Sequence, residues 1–293
     1  LNKKKNVLFI INPIAGIRKK KEVPHLVKNQ LNSEIFDSQI VYTQFHGHAR
    51  SLAIDAAQNN IDYVIAVGGD GTVNEIASGL MNTNTVLGII PCGSGNGLAR
   101  HLGIPINNQR ALGVLQQQKT EKIDGGLANG KAFFCTAGIG FDAHIGKLFA
   151  MSSRRGFHTY VSTTLREIYL YDPQIYSIRV NGELTVKKAF SITVANASQF
   201  GNNAFIAPQA DIKDGFLDLC IVNAYPKRYA IHLGYRLFNK TINQSRFVET
   251  KKVQEIVISA DKANCFHLDG EYHELEDQLH IKIIASCLNV LVP

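Results

Sequence analysis

From Asn6 to about Leu115, short apolar runs alternate with segments whose apolar residues recur every three or four positions. Strands are predicted at Val7–Ile11, Gln39–Thr43, Tyr63–Val67 and Val86–Pro91. Helices are predicted near Lys21–Leu31, at His48–Gln58, from the glycine turn after Val67 through Met81, and near Asn107–Gln117. Such alternation with short connections predicts a parallel sheet covered by helices, with ligand loops at the carboxyl ends of the strands. After Asp124-Gly125-Gly126 the texture changes. Strand-like runs at Phe133–Ala137, Ile175–Val180, Phe190–Ala195, Leu217–Val222, Val253–Ser259, Leu279–Ile284 and Leu288–Val292 are punctuated by hairpin signals such as Asn181-Gly182 and Asp269-Gly270. Two helical stretches, roughly Phe157–Tyr171 and Lys227–Asn239, interrupt them. The pattern predicts an α/β chain of two domains, residues 1–126 built on a parallel sheet and residues 127–293 as a β-sandwich.

Composition narrows this picture. With 293 residues, 45% of them hydrophobic, the chain has enough apolar material for two cores. The apolar run behind Lys3-Lys4-Lys5 is only Val7–Ile11, too short for a signal-peptide core, and no later run is long enough to span a bilayer. Cys92, Cys135, Cys220, Cys265 and Cys287 lack CxxC spacing and sit mostly in apolar segments. They read as buried thiols, which points to the cytoplasm. The net charge of +7 comes in clusters: Arg18-Lys19-Lys20-Lys21, Arg154-Arg155, Lys187-Lys188, Lys227-Arg228 and Lys251-Lys252. Each reads as a solvated face, and together they suit a protein that handles anionic ligands or visits an acidic membrane surface. No basic helix, zinc knuckle or aromatic-rich RNA motif is present, so nucleic acid is not an expected partner.

The chemistry starts at Gly68-Gly69-Asp70-Gly71-Thr72-Val73-Asn74-Glu75, a glycine turn between a strand and a helix start. Glycines let a backbone approach an anion, and the first-turn N–H groups of a helix favour phosphate. A carboxylate among phosphates needs a mediator, since two like charges about 4 Å apart repel by roughly 1 kcal/mol even at the dielectric of water. Asp70 therefore suggests a nucleotide with its Mg²⁺. Two more loops, Asn12-Pro13-Ile14-Ala15-Gly16 and Cys92-Gly93-Ser94-Gly95-Asn96-Gly97, follow strands of the same predicted sheet, so all three are expected at one edge. Asp269-Gly270-Glu271 is either a hairpin turn or a pair of carboxylates sharing one side of a strand. Asn181-Gly182-Glu183 has the same form and is assigned no chemistry.

Asn12-Pro13-x-Ala15-Gly16, Gly69-Asp70-Gly71-Thr72-x-Asn74-Glu75, Pro91-x-Gly93-Ser94-Gly95-Asn96-Gly97-Leu98-Ala99 and Asp269-Gly270-Glu271, in this order, resemble the lipid kinase family of diacylglycerol, sphingosine and ceramide kinases, including its soluble bacterial members. The glycine motif alone is shared with NAD kinases. The resemblance spans nearly the whole chain and implies a nucleotide-binding α/β domain, NAD-kinase-like, and a β-sandwich, with ATP and Mg²⁺ in the cleft between them. In such folds the last strand can return to the first domain. By resemblance, Asn12, Pro13, Ile14, Ala15, Gly16 and Thr43 contact ATP, while Gly69, Asp70, Gly71, Thr72, Val73, Asn74 and Glu75 hold its phosphates and Ser94 closes the site. Glu271 or Asp269 takes the proton of the acceptor hydroxyl, with Asp70 and Asp124 organising water and Mg²⁺. The segment Asp211-x-x-Asp214-Gly215-Phe216 resembles the family's structural magnesium position, with the Asp214 carboxylate and the carbonyls of Asp211 and Phe216 as ligands. Gly47-His48-Ala49 after Thr43 also follows the family pattern, with a helix-capping turn as the simpler reading.

The implied reaction is transfer of the γ-phosphate of ATP to a hydroxyl of a diacylglycerol or sphingoid-type lipid at a membrane surface, with peripheral contact at its inner face. The loop Gly93–Leu98 leans toward the sphingosine and ceramide kinase pattern. Ile139–Phe149 and Phe157–Tyr171 are candidates for a lipid-gating element, with Arg154 and Arg155 between them. An NAD-kinase-like enzyme and a non-catalytic nucleotide- or lipid-binding regulator are the alternatives, and a homodimer stays open.

Overall fold

The structure, a computed structural model, describes residues 3–14, 20–151, 157–260 and 265–293. The chain forms two compact units, Leu1–Asp124 with Ser286–Pro293, and Gly125–Ala285.

In the first unit the order is β1 (Lys5–Ile11), α1 (Val23–Gln30), β2 (Phe36–Tyr42), α2 (His48–Gln58), β3 (Tyr63–Gly68), α3 (Asp70–Leu80), β4 (Val86–Pro91), α4 (Gly97–His101) and α5 (Asn108–Gln117). β5 (Thr120–Ala128) leads out of it, and the end of β15 (Gln278–Leu291) returns. The strands pair in parallel in the order β2-β1-β3-β4-β15. Every residue of β3 is buried, so this strand reads as a continuous apolar run rather than an alternation. Helices begin where local chemistry permits. Asn107 caps α5 by accepting the Arg110 N–H at 3.0 Å, and α1 carries Pro24 in its first turn, where a missing N–H costs nothing.

The second unit is antiparallel. It contains β6 (Lys131–Phe133), β7 (Thr136–Gly140), α6 (Phe141–Met151), α7 (Phe157–Leu170), β8 (Gln174–Val180), β9 (Glu183–Ala195), β10 (Leu217–Asn223), α8 (Ala230–Phe238), β11 (Val248–Val253), β12 (Glu255–Ser259), β13 (Cys265–Leu268) and β14 (Glu271–Glu274). The path runs β14-β13-β7-β9-β8-β12-β15, with β10 also on β9 and β11 on β10. β9 is long enough to serve two partners on one side, pairing β8 through Glu183–Ala189 and β7 through Ser191–Ala195. One apolar core gathers Phe133, Ile139, Tyr176, Ile192, Val194 and Ile256. A second holds Phe141, Ile145, Tyr171, Phe190 and Leu233. Phe141 stacks on Phe190 with centroids 4.4 Å apart and meets Tyr171 edge-on at 5.5 Å. The buried apolar residues of the proposed gating stretch are therefore core residues, and Arg154 and Arg155 lie outside the described residues.

These cores carry a pH signature. Burial pushes Tyr171 and Tyr225 up to about 12 and drives Tyr176 and Cys220 upward as well. The folded state keeps protons that the unfolded chain releases near the ordinary values of 10.0 and 9.0. Stability therefore falls as pH rises above those values, by about 1.4 kcal/mol per pH unit for each group until its folded value is passed. A steep drop in melting temperature is expected between about pH 9 and about pH 11; a flat profile by circular dichroism would contradict it.

Candidate active site

The three glycine-bearing loops follow β1, β3 and β4, which are neighbours in the sheet, and they are bound to one another. The Asn12 amide donates to Thr72 Oγ1 at 3.0 Å, while its own oxygen accepts the Ile14 N–H at 2.9 Å. That ties the first loop to the first turn of α3. The second and third loops meet glycine against glycine. A Cβ on Gly93 would stand 2.5 Å from Gly69 Cα, which leaves no room for a side chain there, and one on Gly69 would be tight, 3.2 Å from Gly93 Cα. The Cys92 N–H donates to the Gly68 carbonyl at 2.8 Å.

Asp70 closes this contact. Its carboxylate accepts the Asn96 N–H at 2.8 Å and the Gly97 N–H at 2.6 Å. Asn96 sits in the left-handed region, with φ 53°, and braces its own loop through the Gly93 N–H and carbonyl. Asp70 thus acts as the cap of α4, reached from the start of α3. Glu75 has a similar task. Its oxygens accept the N–H groups of Gly47 at 3.0 Å and Ala49 at 3.1 Å, which caps α2. His48 accepts the Gln44 N–H at 3.1 Å and stacks on Phe45, so it belongs to the same capping turn. Thr43 is buried and donates its N–H to Ile11 at the end of β1. Gly71, Thr72, Val73 and Asn74 form the first turn of α3. Pro13, Ile14 and Ser94 are exposed, while Ala15 and Gly16 lie outside the described residues.

Lys20 departs from the solvated face expected of its cluster. It is 7% exposed, burial lowers its pKa, and its ammonium donates to the Pro13 carbonyl. A buried cation therefore stands at the Asn12–Ile14 turn.

Asp124, 1% exposed, accepts the Ser286 N–H at 2.6 Å. Ser286 has φ 48°, and its kink divides β15 into the two runs seen in the sequence. The bond ties together the two strands that run between the units.

In the second unit, Asp269 and Gly270 have φ 48° and 87°, and Leu268 pairs with Glu271 across them. This is a two-residue hairpin turn with both central residues left-handed. Of the two readings left open by the sequence, the hairpin turn is the one adopted: Asp269 is in the turn and only Glu271 is in the strand. The Asn181-Gly182 turn has the same backbone, φ 51° and 84°, so conformation does not separate the two turns. The Asp269 carboxylate does. It accepts the N–H groups of Phe134 at 3.0 Å, Cys135 at 2.8 Å and Thr136 at 3.0 Å, and the Asp269 N–H donates to Thr136 at 2.8 Å. Glu271, which opens β14, is exposed.

Behind β13 lies a buried polar group that no sequence motif announces. Asp142 Oδ2 accepts the Thr193 hydroxyl at 2.7 Å and lies 3.1 Å from His267 Nε2. Gly138 makes the room, since a Cβ there would be 2.5 Å from that oxygen.

Within the segment that resembles the family's magnesium position, Asp214 meets a lysine of the chain. Lys252 places its ammonium on Asp214 Oδ2, with Asp218 Oδ2 4.0 Å away. The other Asp214 oxygen accepts the Phe216 N–H at 2.9 Å. The bond to Asp214 raises the Lys252 pKa, whereas burial raises that of Asp218 against the pull of the lysine. Lys252→Met should lower the melting temperature by about 2–4 °C, the worth of a partly exposed ion pair of up to about 1 kcal/mol. A melting temperature that falls on chelation without nucleotide would support magnesium at Asp214, and an unchanged one would count against it. Among the described residues no group of three His, Cys, Asp or Glu is placed to hold a metal ion.

Residues 6–128 match the diacylglycerol kinase catalytic domain, and residues 135–292 match the YegS C-terminal NAD kinase β-sandwich-like domain. The chain is 32% identical to the "Probable lipid kinase YegS-like" protein of Chromohalobacter salexigens, over 78% of this chain and 76% of that one. It is 27% identical to the diacylglycerol kinase of Bacillus subtilis, over 92% and 90%. A Synechocystis relative is longer, and the chain spans 66% of its length at 28% identity. The fold is that of the crystal structure of a diacylglycerol kinase from Bacillus anthracis, with a TM-score of 0.78, 24% identity and coverage of 100% of this chain and 98% of that one. With both halves matched and the motif loops bound to one another as described, the chain belongs to the diacylglycerol kinase catalytic domain family, among its YegS-like lipid kinases.

Proposed function

We propose that the protein transfers the γ-phosphoryl group of MgATP to a hydroxyl of a diacylglycerol or sphingoid-type lipid. The observation that carries this reading is the Asp269–Glu271 turn, where three backbone N–H groups grip the first carboxylate and the second, two residues on at the start of β14, is exposed. A general base must be held still and still reach its substrate. Asp269 is the positioning residue and Glu271 the base. Glu271 takes the proton of the acceptor hydroxyl as that oxygen bonds to the γ-phosphorus. The bond from the γ-phosphorus to the β–γ bridging oxygen breaks, and its electrons leave on ADP.

In the first unit, Asn12–Gly16, Thr43, the first turn of α3 and Ser94 bind ATP, and Lys20 adds a cation beside the first of these loops. Asp70, Glu75 and Asp124 act through the backbone they hold. Mg²⁺ bound together with the nucleotide would supply neutralisation of the charge that develops in the transfer. The acceptor is met as a membrane lipid, by a protein in which no described helix is long and apolar enough to cross a bilayer.

The test is ADP release from MgATP with mixed micelles of diacylglycerol, monoacylglycerol, sphingosine, dihydrosphingosine or ceramide, with NAD as the soluble control. Turnover with a lipid and not with NAD is expected. Turnover with NAD alone would replace the reading with the NAD-kinase-like one.

A further inference from the structure

α8 is a helix with two apolar faces. Ala230 and Leu233 are buried, with Leu237 packed against the same core. Ile231, Tyr235 and Phe238, at i, i+4 and i+7, form a second stripe and are 76%, 64% and 53% exposed. One apolar stripe suffices to pack a surface helix; the second needs an occupant.

The charge around the stripe identifies it. From Leu219 to Val248 the chain has no acidic residue and carries Lys227, Arg228, Arg236, Lys240 and Arg246. Arg228 and Arg246 both lie 5.3 Å from the Tyr229 ring, and Arg246 donates to the Tyr229 hydroxyl at 3.1 Å. Lys227 donates to the carbonyls of Ile168 at 3.1 Å and Tyr171 at 2.5 Å, which fastens the end of α7 to the start of the α8 segment. That end of α7 adds Leu165, Tyr169 and Leu170 to the exposed apolar surface.

We infer that α8 with its flanking basic residues is a docking surface for an anionic lipid bilayer. Aromatic and aliphatic side chains in a basic surround suit the headgroup–acyl boundary, and lipid phosphates complement the cations. A second copy of this chain seated on the same stripe would bring like charges together. The inference rests on the lipid-kinase reading for why a membrane is met, although its grounds are the surface itself.

The test is flotation of the full chain with phosphatidylcholine vesicles, with and without one third phosphatidylglycerol, alongside turnover of a water-soluble short-chain diacylglycerol. The wild type should float with the anionic vesicles and lose them as salt rises. Ile231→Asp with Phe238→Asp should cut the bound-to-free ratio by about tenfold or more while soluble-substrate turnover stays unchanged. Arg228→Gln with Lys240→Gln should weaken binding and flatten its salt dependence. Flotation that is equal in wild type and apolar-stripe variant overturns the inference. So does sedimentation showing a dimer that the variant disperses without loss of vesicle binding. Vesicle binding without turnover of any lipid would leave the docking surface standing and remove the kinase reading.

Discussion

Glu271→Gln should lower phosphoryl transfer by about 10²–10⁴-fold, the usual contribution of a positioned general base. The melting temperature should stay at the wild-type value. Glu271 is exposed and opens β14 opposite Leu268, and glutamine keeps its size and its strand position while losing the basic oxygen. Asp269→Ala should behave in the opposite way at first inspection. It removes the acceptor of three backbone N–H groups on buried residues. At about 1–3 kcal/mol for each buried donor left without a partner, and with water replacing some of that loss, the cost is about 3 kcal/mol. That corresponds to a melting temperature lowered by about 6–12 °C. Activity should then fall because the hairpin that carries Glu271 loosens. If Glu271→Gln turns over at the wild-type rate, Glu271 is not the base. If Asp269→Ala melts as wild type, the grip on residues 134–136 is not what orders the hairpin.

Asp70→Asn should lower kcat/KM for ATP by about 10²-fold, the scale on which a misplacement of about 1 Å is felt. The reason is donor against donor. Asp70 accepts the N–H groups of Asn96 and Gly97 on separate oxygens, and an asparagine has one oxygen to offer and turns its NH₂ to the other. The Gly69–Gly93 contact leaves no room for a side chain on Gly93, so the third loop has little room to move aside. The effect belongs to ATP rather than to the acceptor, so the response to lipid concentration should stay near wild type. Unchanged kcat/KM for ATP would show that the carboxylate does not order these loops for the nucleotide.

The parallel sheet was legible because its strands are continuous apolar runs. β3 is buried on both faces and bounded by glycine, which leaves little ambiguity of type. The reading of Phe133–Ala137 as one strand missed a break: residues 134 and 135 leave the ladder because their N–H groups turn to Asp269. No local pattern announces a partner more than 130 residues away. β15 has the opposite history. It is one strand that reads as two because Ser286 takes a left-handed conformation held by Asp124.

The candidate site residues come from their motifs, and the motifs do not tell what each side chain holds. Asp70, Glu75, Asp124 and Asp269 are all carboxylates that hold backbone N–H groups, a role that depends on tertiary contacts and leaves no spacing in the sequence. Lys20 was hidden in a basic cluster whose other members suggested solvent. Lys252 sits close to Asp214 only because β10 and β11 pair. The second stripe of α8 is hidden in the sequence, since periodicity tells which residues share a face and not which face meets the core.

The most direct test of the account follows the phosphorus itself. Wild-type protein and Glu271→Gln are incubated with γ-labelled ATP, Mg²⁺ and diacylglycerol or sphingosine in phosphatidylglycerol micelles, and the organic phase is counted and its lipids identified. The account predicts label in a phosphorylated lipid with the wild type and a loss of about 10²-fold or more with Glu271→Gln. Label that stays in the aqueous phase for every lipid, or that enters lipid equally in both proteins, would contradict it.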